Sequence, residues 1–208
     1  MNRPDPSPRD EAPRPAYRRA TGSARGEARR RDLLDQITED LAANGLVDYS
    51  LRRAARAAGT THKVLLYYFD GIEDLLGQAL HRLRERRIAA VLATADGATL
   101  GERVVGLWPA LADDASGLRV IDQAIGLAMY DPQRYAHLAQ EATPQYEHAL
   151  VALCPPDWSA TRKVEIAELA IATFRGCLME WQTTRSPVHI DAALAALARA
   201  LDREVAAG

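Results

Sequence analysis

The chain has 208 residues, 48% of them hydrophobic and 26% charged, with a formal net charge of −2. That length suffices for one large domain or two small ones with a real core, and the composition is ordinary for a soluble protein. Two cysteines, Cys154 and Cys177, without C-x-x-C spacing argue against a disulfide framework or a zinc site; no apolar run nears the roughly 20 residues of a membrane span, and no apolar signal core opens the chain. A cytoplasmic protein without a metal or cofactor is expected.

Aromatic residues make up only 6%, while the helix formers Ala, Leu and Arg dominate, so an all-α fold is expected. Charge is unevenly spread. Residues 1–95 carry 17 Lys and Arg against 13 Asp and Glu, and residues 96–208 carry 9 against 15. A basic half joined to an acidic half suits a nucleic-acid-binding head on a body that does not bind nucleic acid, although such an imbalance also lies within ordinary scatter.

Residues 1–26 hold Pro4, Pro6, Pro8, Pro13 and Pro15 and many arginines, with almost no large apolar residue. They cannot bury enough surface to offset their ordering entropy and read as a disordered arm. Arg18, Arg19, Arg25 and Arg29 to Arg31 either follow a phosphate backbone or are simply solvated. Helix 1 is expected from Glu27 to Asn44, with Leu33, Leu34, Ile37 and Leu41 on its apolar stripe and Asn44-Gly45 as its stop.

Ser50 is the expected N-cap of helix 2, whose buried side is Leu51, Ala54, Ala55 and Ala58; Arg52, Arg53 and Arg56 fall elsewhere. Gly59 ends it, and Thr61 or Thr60 caps helix 3. Two short helices joined by a glycine-containing turn form a helix-turn-helix, whose second helix enters the DNA major groove. On helix 3, Val64, Leu65, Tyr68 and Phe69 share the core face, while His62, Lys63, Leu66 and Tyr67 face out. The outward set offers donors, a ring and an apolar patch, groups that meet base edges, phosphates and thymine methyls. Asp70 with Glu73 is the expected capping box of helix 4, which should run to about Ala95 with Ile72, Leu75 and Leu76 against the head. A displacement at its far end is then transmitted to the head.

From helix 1 through ANGLVDYSLRRAARAAGTTHKVLLYYFDGIEDLL, the chain resembles the N-terminal domain of TetR-family transcriptional regulators. The matching pattern is Gly45, Ser50, Ala55, Ala58-Gly59, Thr61, Leu65, Tyr68-Phe69 and the acidic-Leu-Leu of helix 4, over about a quarter of the chain. Two positions depart from it. Leu66 stands where the family usually has a phosphate-contacting tyrosine, and Ile72 where it commonly has a phosphate-contacting lysine. The resemblance implies a head at residues 27–76 that binds double-stranded DNA through Ser50, Arg52, Thr60, Thr61, His62, Lys63, Leu66 and Tyr67. It further implies a body at residues 77–208 that binds a small-molecule effector and dimerises, so that the protein acts as a repressor on a palindromic operator.

In the body, Gly97 and Gly101 flank a break after helix 4. Apolar-periodic segments follow at about 99–112, 116–130, 132–153, 161–184 and 188–206, with a bend or break predicted at Pro109 and Pro144. Ile166, Leu169, Ala170, Thr173, Phe174, Cys177, Leu178 and Trp181 form a continuous stripe, and Ile190, Leu194, Leu197 and Leu201 form another. Ile166, Ala170, Leu178, Trp181, Leu194, Leu197 and Leu201 are expected at a two-fold dimer interface, the alternative being a well-filled monomeric bundle. Trp108, Met129, Tyr130, Tyr135, Tyr146, Phe174 and Cys177 are candidates for lining the effector site, with Arg175 or Glu180 as polar anchors; the alternative for each aromatic is the core.

No phosphate-cradling, zinc-protease or nucleophile-elbow motif occurs. The five histidines are scattered, and His81 with Glu85 or His137 with Glu141 read as solvated helix pairs before metal ligands. An enzyme is not expected. The competing readings are a helical small-molecule or partner-binding protein that does not bind DNA and, behind it, a helical-bundle enzyme.

Overall fold

The computed structural model describes residues 23–113 and 118–207. The arm lies outside them up to residue 22, as does the boundary at Asp114. Among the described residues the chain is all-helical: α1 (Ala24–Asn44), α2 (Leu51–Ala57), α3 (His62–Tyr68), α4 (Ile72–Leu92), α5 (Leu100–Val105), α6 (Trp108–Ala112), α7 (Leu118–Tyr130), α8 (Pro132–Ala139), α9 (Ala142–Val151), α10 (Ala160–Thr184) and α11 (Val188–Ala206).

α1 starts three residues earlier than its apolar stripe suggests. Ser23 caps it, its hydroxyl accepting the Gly26 N–H at 3.1 Å. The expected Asp70–Glu73 box on α4 does not form. Gly71, at φ +104°, is the N-cap, and it is the Asp74 carboxylate that reaches back to accept the Asp70 N–H at 2.9 Å. The chain turns one residue later than expected, so the bracing acid is also one residue later. α4 ends at Leu92, before the expected Ala95.

The proline breaks follow from the missing N–H and ring clash of that residue. Segment 99–112 divides into α5 and α6 with Pro109 in the first turn of α6, and segment 132–153 divides at Gln140–Glu141 with Pro144 in the first turn of α9. Gly97, at φ +146°, lies in the loop after α4, but Gly101 is inside α5 and marks close packing. A Cβ there would come within 2.5 Å of the Ala198 carbonyl oxygen and 2.8 Å of Asp202 Oδ1, whose carboxylate accepts the Gly101 N–H.

Two hydrophobic clusters meet along α4. The first joins the head (Leu33, Ile37, Leu41, Ala54, Leu65, Phe69, Leu75) to Val120, Ile121 and Ala124 of α7 and Leu138 of α8. The second gathers Val91, Leu100, Val104 and Leu107 with Ile166, Ala170, Phe174, Cys177, Ile190, Leu194, Leu197 and Leu201. Packing is therefore continuous across residue 76, because α4 belongs to both.

Four α4 arginines fasten these layers. Arg82 and Arg86 pair with Asp35 of α1 at 3.3 and 3.1 Å, and Arg86 also with Glu39. Arg84, 2% exposed, donates to the Leu138 carbonyl at 3.2 Å and to Gln145 Oε1 at 2.5 Å. Arg87 donates to the Leu111 carbonyl at 2.6 Å.

Replacing Gly101 with Ala forces a Cβ into the α5–α11 contact. We expect a loss of about 1–3 kcal/mol of stability, as for other overpacked sites, read from the midpoint of chemical denaturation.

Candidate nucleic-acid interface and interior cavity

The α2–α3 unit is built by short-range chemistry. Ser50 Oγ accepts the Arg53 N–H at 3.3 Å and Thr61 Oγ1 the Val64 N–H at 3.4 Å, each satisfying a donor the first helical turn leaves free. Gly59 sits at φ +55°, a conformation glycine adopts without a Cβ penalty, and the Thr60 N–H closes the turn on the Ala55 carbonyl at 2.8 Å. Ala54, Ala55 and Ala58 are buried, which lets the two helices approach.

Helix α3 has the two faces its spacing predicts. Leu65 and Phe69 are buried and Val64 and Tyr68 half-buried, whereas His62, Lys63, Leu66 and Tyr67 are exposed. Leu66 at 50% and Tyr67 at 47% exposure are large apolar groups left in water. The Tyr67 ring stands edge-on to Tyr68 at 4.9 Å, which restricts it before any contact is made. Ser50, Arg52 and Thr61 are also exposed, and Thr60 is half-buried.

The basic residues divide in a way composition does not reveal. Arg53 holds the α1–α2 turn, donating to the Val47 carbonyl at 3.2 Å and the Gly45 carbonyl at 3.0 Å while pairing with Asp40 at 3.3 Å. It also stacks over Tyr49 at 4.4 Å, and burial together with Asp40 pushes the Tyr49 phenol pKa up, so that ring stays neutral. Arg30, which the sequence groups with phosphate-following arginines, donates to the Tyr68 carbonyl at 3.3 Å and to Gln78 at 2.5 Å and lies over Phe69. Arg29 pairs with Asp32. Arg25, Arg31, Arg52 and Arg56 are exposed.

In the body, a cavity of about 350 Å³ lies among α4, α6, α7, α9 and α10. Of the sequence candidates, Met129, Tyr146, Phe174 and Arg175 line it; Trp108, Tyr130, Tyr135, Cys177 and Glu180 do not. Trp108 and Cys177 belong to the second cluster and Tyr135 packs on the first. Tyr130 is 87% exposed, and Glu180 pairs with His189 at 2.9 Å. The lining residues that sequence reasoning missed are chiefly Arg87, Asp122 and Gln182, polar groups whose helices carry no local sign of a cavity. The Gln182 amide donates to the Asp122 carboxylate. Burial lowers the Arg87 pKa and raises that of Tyr146, where the Arg87, Arg84 and Arg175 charges oppose the rise and Asp122 adds to it.

The expected dimer residues are used within the chain itself. Ile166, Ala170, Leu194, Leu197 and Leu201 are buried in the second cluster; Leu178 is half-buried on the cavity wall; and the Trp181 indole donates to the Ala112 carbonyl at 3.2 Å. Apolar periodicity located a covered face without telling what covers it. Among the described residues no group of three His, Cys, Asp or Glu side chains could hold a metal ion, and no helix is long and apolar enough to cross a membrane.

Arg53→Ala removes two backbone hydrogen bonds and an ion pair from one turn. The expected cost is about 1–3 kcal/mol, measured by denaturation, with amide exchange at residues 45–49 rising more than in α10.

No protein-family model matches the chain, and no curated protein matches it in sequence. Solved structures do. A candidate transcriptional regulator from Streptomyces coelicolor A3(2) is 25% identical, with a TM-score of 0.64 over 83% of this chain and 98% of that one. A TetR-family transcriptional regulator from Cytophaga hutchinsonii is 18% identical, with a TM-score of 0.61 over 85% and 94%. The multidrug binding protein EbrR, complexed with imidazole, is 21% identical, with a TM-score of 0.62 over 91% and 97%. The chain has the fold of the TetR-family transcriptional regulators: a helix-turn-helix head followed by a helical body.

Proposed function

We propose that this protein is a ligand-responsive transcriptional regulator, a repressor that binds a palindromic operator as a homodimer and is released by a small molecule in the body cavity. The observation that carries the reading is the outward face of α3. A structural helix has no use for an exposed leucine and tyrosine beside a histidine and a lysine on a capped, tightly turned two-helix unit. In a major groove, Lys63 and His62 supply donors, Tyr67 a ring and hydroxyl, and Leu66 an apolar contact for thymine methyls. Arg52 and Arg56 supply phosphate contacts in place of the usual tyrosine and lysine.

Dimerisation in this reading uses the outward faces of the last two helices. Leu169, Ala172 and Gly176 of α10 lie at i, i+3 and i+7, and Ala192, Ala195 and Ala196 share a face of α11; all are exposed. Small side chains let helices of two copies approach, and Glu165 on the α10 face complements Arg199 and Arg203 on α11 across a two-fold axis. Two heads then sit about one DNA turn apart, roughly 34–36 Å, or a multiple of it.

Selection from random DNA should enrich a palindrome; a folded, dimeric protein that enriches none would point to a binder without DNA function. Tyr67→Ala should remove about 1–3 kcal/mol of discrimination between operator and random DNA. An equal loss on both would assign Tyr67 to the backbone. Arg52→Ala should lower the slope of log affinity against log salt by about 1. A Cβ on Gly176 would meet no heavy atom within 4 Å, so Gly176→Arg leaves the protomer intact and should yield a monomer in sedimentation. A persisting dimer would move the interface elsewhere.

A further inference from the structure

The cavity is not electrically neutral in its design. Its depth is apolar, with Leu107, Leu111, Ile121, Leu150 and Ile171 buried, and its mouth lies between α7 and α10, where Gly126, Met129, Met179 and Gln182 are exposed. Its polar groups are two arginines, one carboxylate, one amide and one phenol. The carboxylate, Asp122, is already engaged by Gln182. The arginines are not comparably occupied. Arg87 has a hydrogen bond to the Leu111 carbonyl and feels the charges of Asp122 and Asp113 without a hydrogen bond to either, and Arg175 has one hydrogen bond, to Thr143 Oγ1 at 2.6 Å. A guanidinium carries five N–H donors, so each retains several for an occupant.

We propose that the cavity takes an amphipathic anion, its carboxylate held by Arg87 and Arg175 beside the Tyr146 hydroxyl and its apolar tail extending into the pocket of Leu107, Ile121 and Ile171. This deepens the regulator reading and rests on it for treating the occupant as an effector. A partly desolvated guanidinium gains more from a carboxylate than a surface arginine does, because charge-assisted hydrogen bonds strengthen as water is excluded. An uncharged molecule of the same shape leaves those donors unmatched. A lipophilic cation has to face two arginines for access to an acid that is already bonded.

Three probes with one tail separate these cases: decanoate, decanol and decyltrimethylammonium, titrated calorimetrically into the intact protein below their micellar concentrations. Decanoate should bind at least about tenfold more tightly than decanol, corresponding to one charge-assisted hydrogen bond, and decyltrimethylammonium most weakly. Arg87→Gln should bring decanoate to the level of decanol while leaving decanol unchanged. Arg175→Gln, at an exposed position, should reduce the same preference with no risk to the core. The inference is overturned if decyltrimethylammonium binds as well as decanoate, if both variants keep the preference, or if no probe binds. Binding is measured without DNA. Decanoate binding with the stated preference but no effect on operator affinity therefore supports the anion site and removes the regulatory reading.

Discussion

A guanidinium taken out of water must be met by oxygen on nearly every side, or its desolvation cost goes uncompensated. Arg84 is buried, with its Nε bonded to the Gln145 side chain and one terminal nitrogen to the Leu138 carbonyl. Because those partners belong to α8 and α9, the requirement of one side chain sets where two other helices can lie. Arg82 and Arg86 direct α4 toward α1, and Arg87 directs it toward α6. A single helix thereby holds the head on one side and the cavity wall on the other, at directions that apolar contact alone would leave free to slide.

The head was legible because its determinants are local. Ser50, Gly59 and Thr61 act within four residues of themselves, and the 3.6-residue period separates Leu65 and Phe69 from Leu66 and Tyr67 without reference to the rest of the chain. What could not be read there is which basic residues are free. Arg30 and Arg52 look alike in sequence. One is tied to the Tyr68 carbonyl and Gln78 across a separation of about forty positions, and the other reaches water. Asp70 and Asp74 illustrate the same limit at short range, since a one-residue shift in the turn reassigns the acid that braces α4.

The body was legible as helices but not as surfaces. A stripe such as Ile166–Ala170–Phe174–Cys177 states that something covers it, and a neighbouring helix of the same chain satisfies the pattern as well as a second copy would. Aromatic residues were poor guides to the cavity because ring size suits core and pocket alike: Tyr146 and Phe174 line it, while Tyr135 packs against the first hydrophobic cluster. Gly97 and Gly101 flank the break after α4 for different reasons, Gly97 by its positive φ and Gly101 by its close approach to α11, and the sequence does not tell a turn glycine from a packing glycine. The polar lining emerges only when α4, α7 and α10 converge.

Helix α7 places two successive residues on opposite duties. Asp122 faces the cavity, and Gln123 accepts the Leu46 N–H at 2.9 Å at the turn between α1 and α2. Adjacent positions on one helix move together, so under the proposed function a shift of α7 at the cavity is felt at the α1–α2 turn of the head. Linkage then works in both directions. If filling the cavity weakens the grip on DNA by some factor, an operator holding the head must expel the cavity's occupant by the same factor. Under the proposed function, such a protein is least sensitive to its signal when already seated, and copies off the operator capture the molecule first.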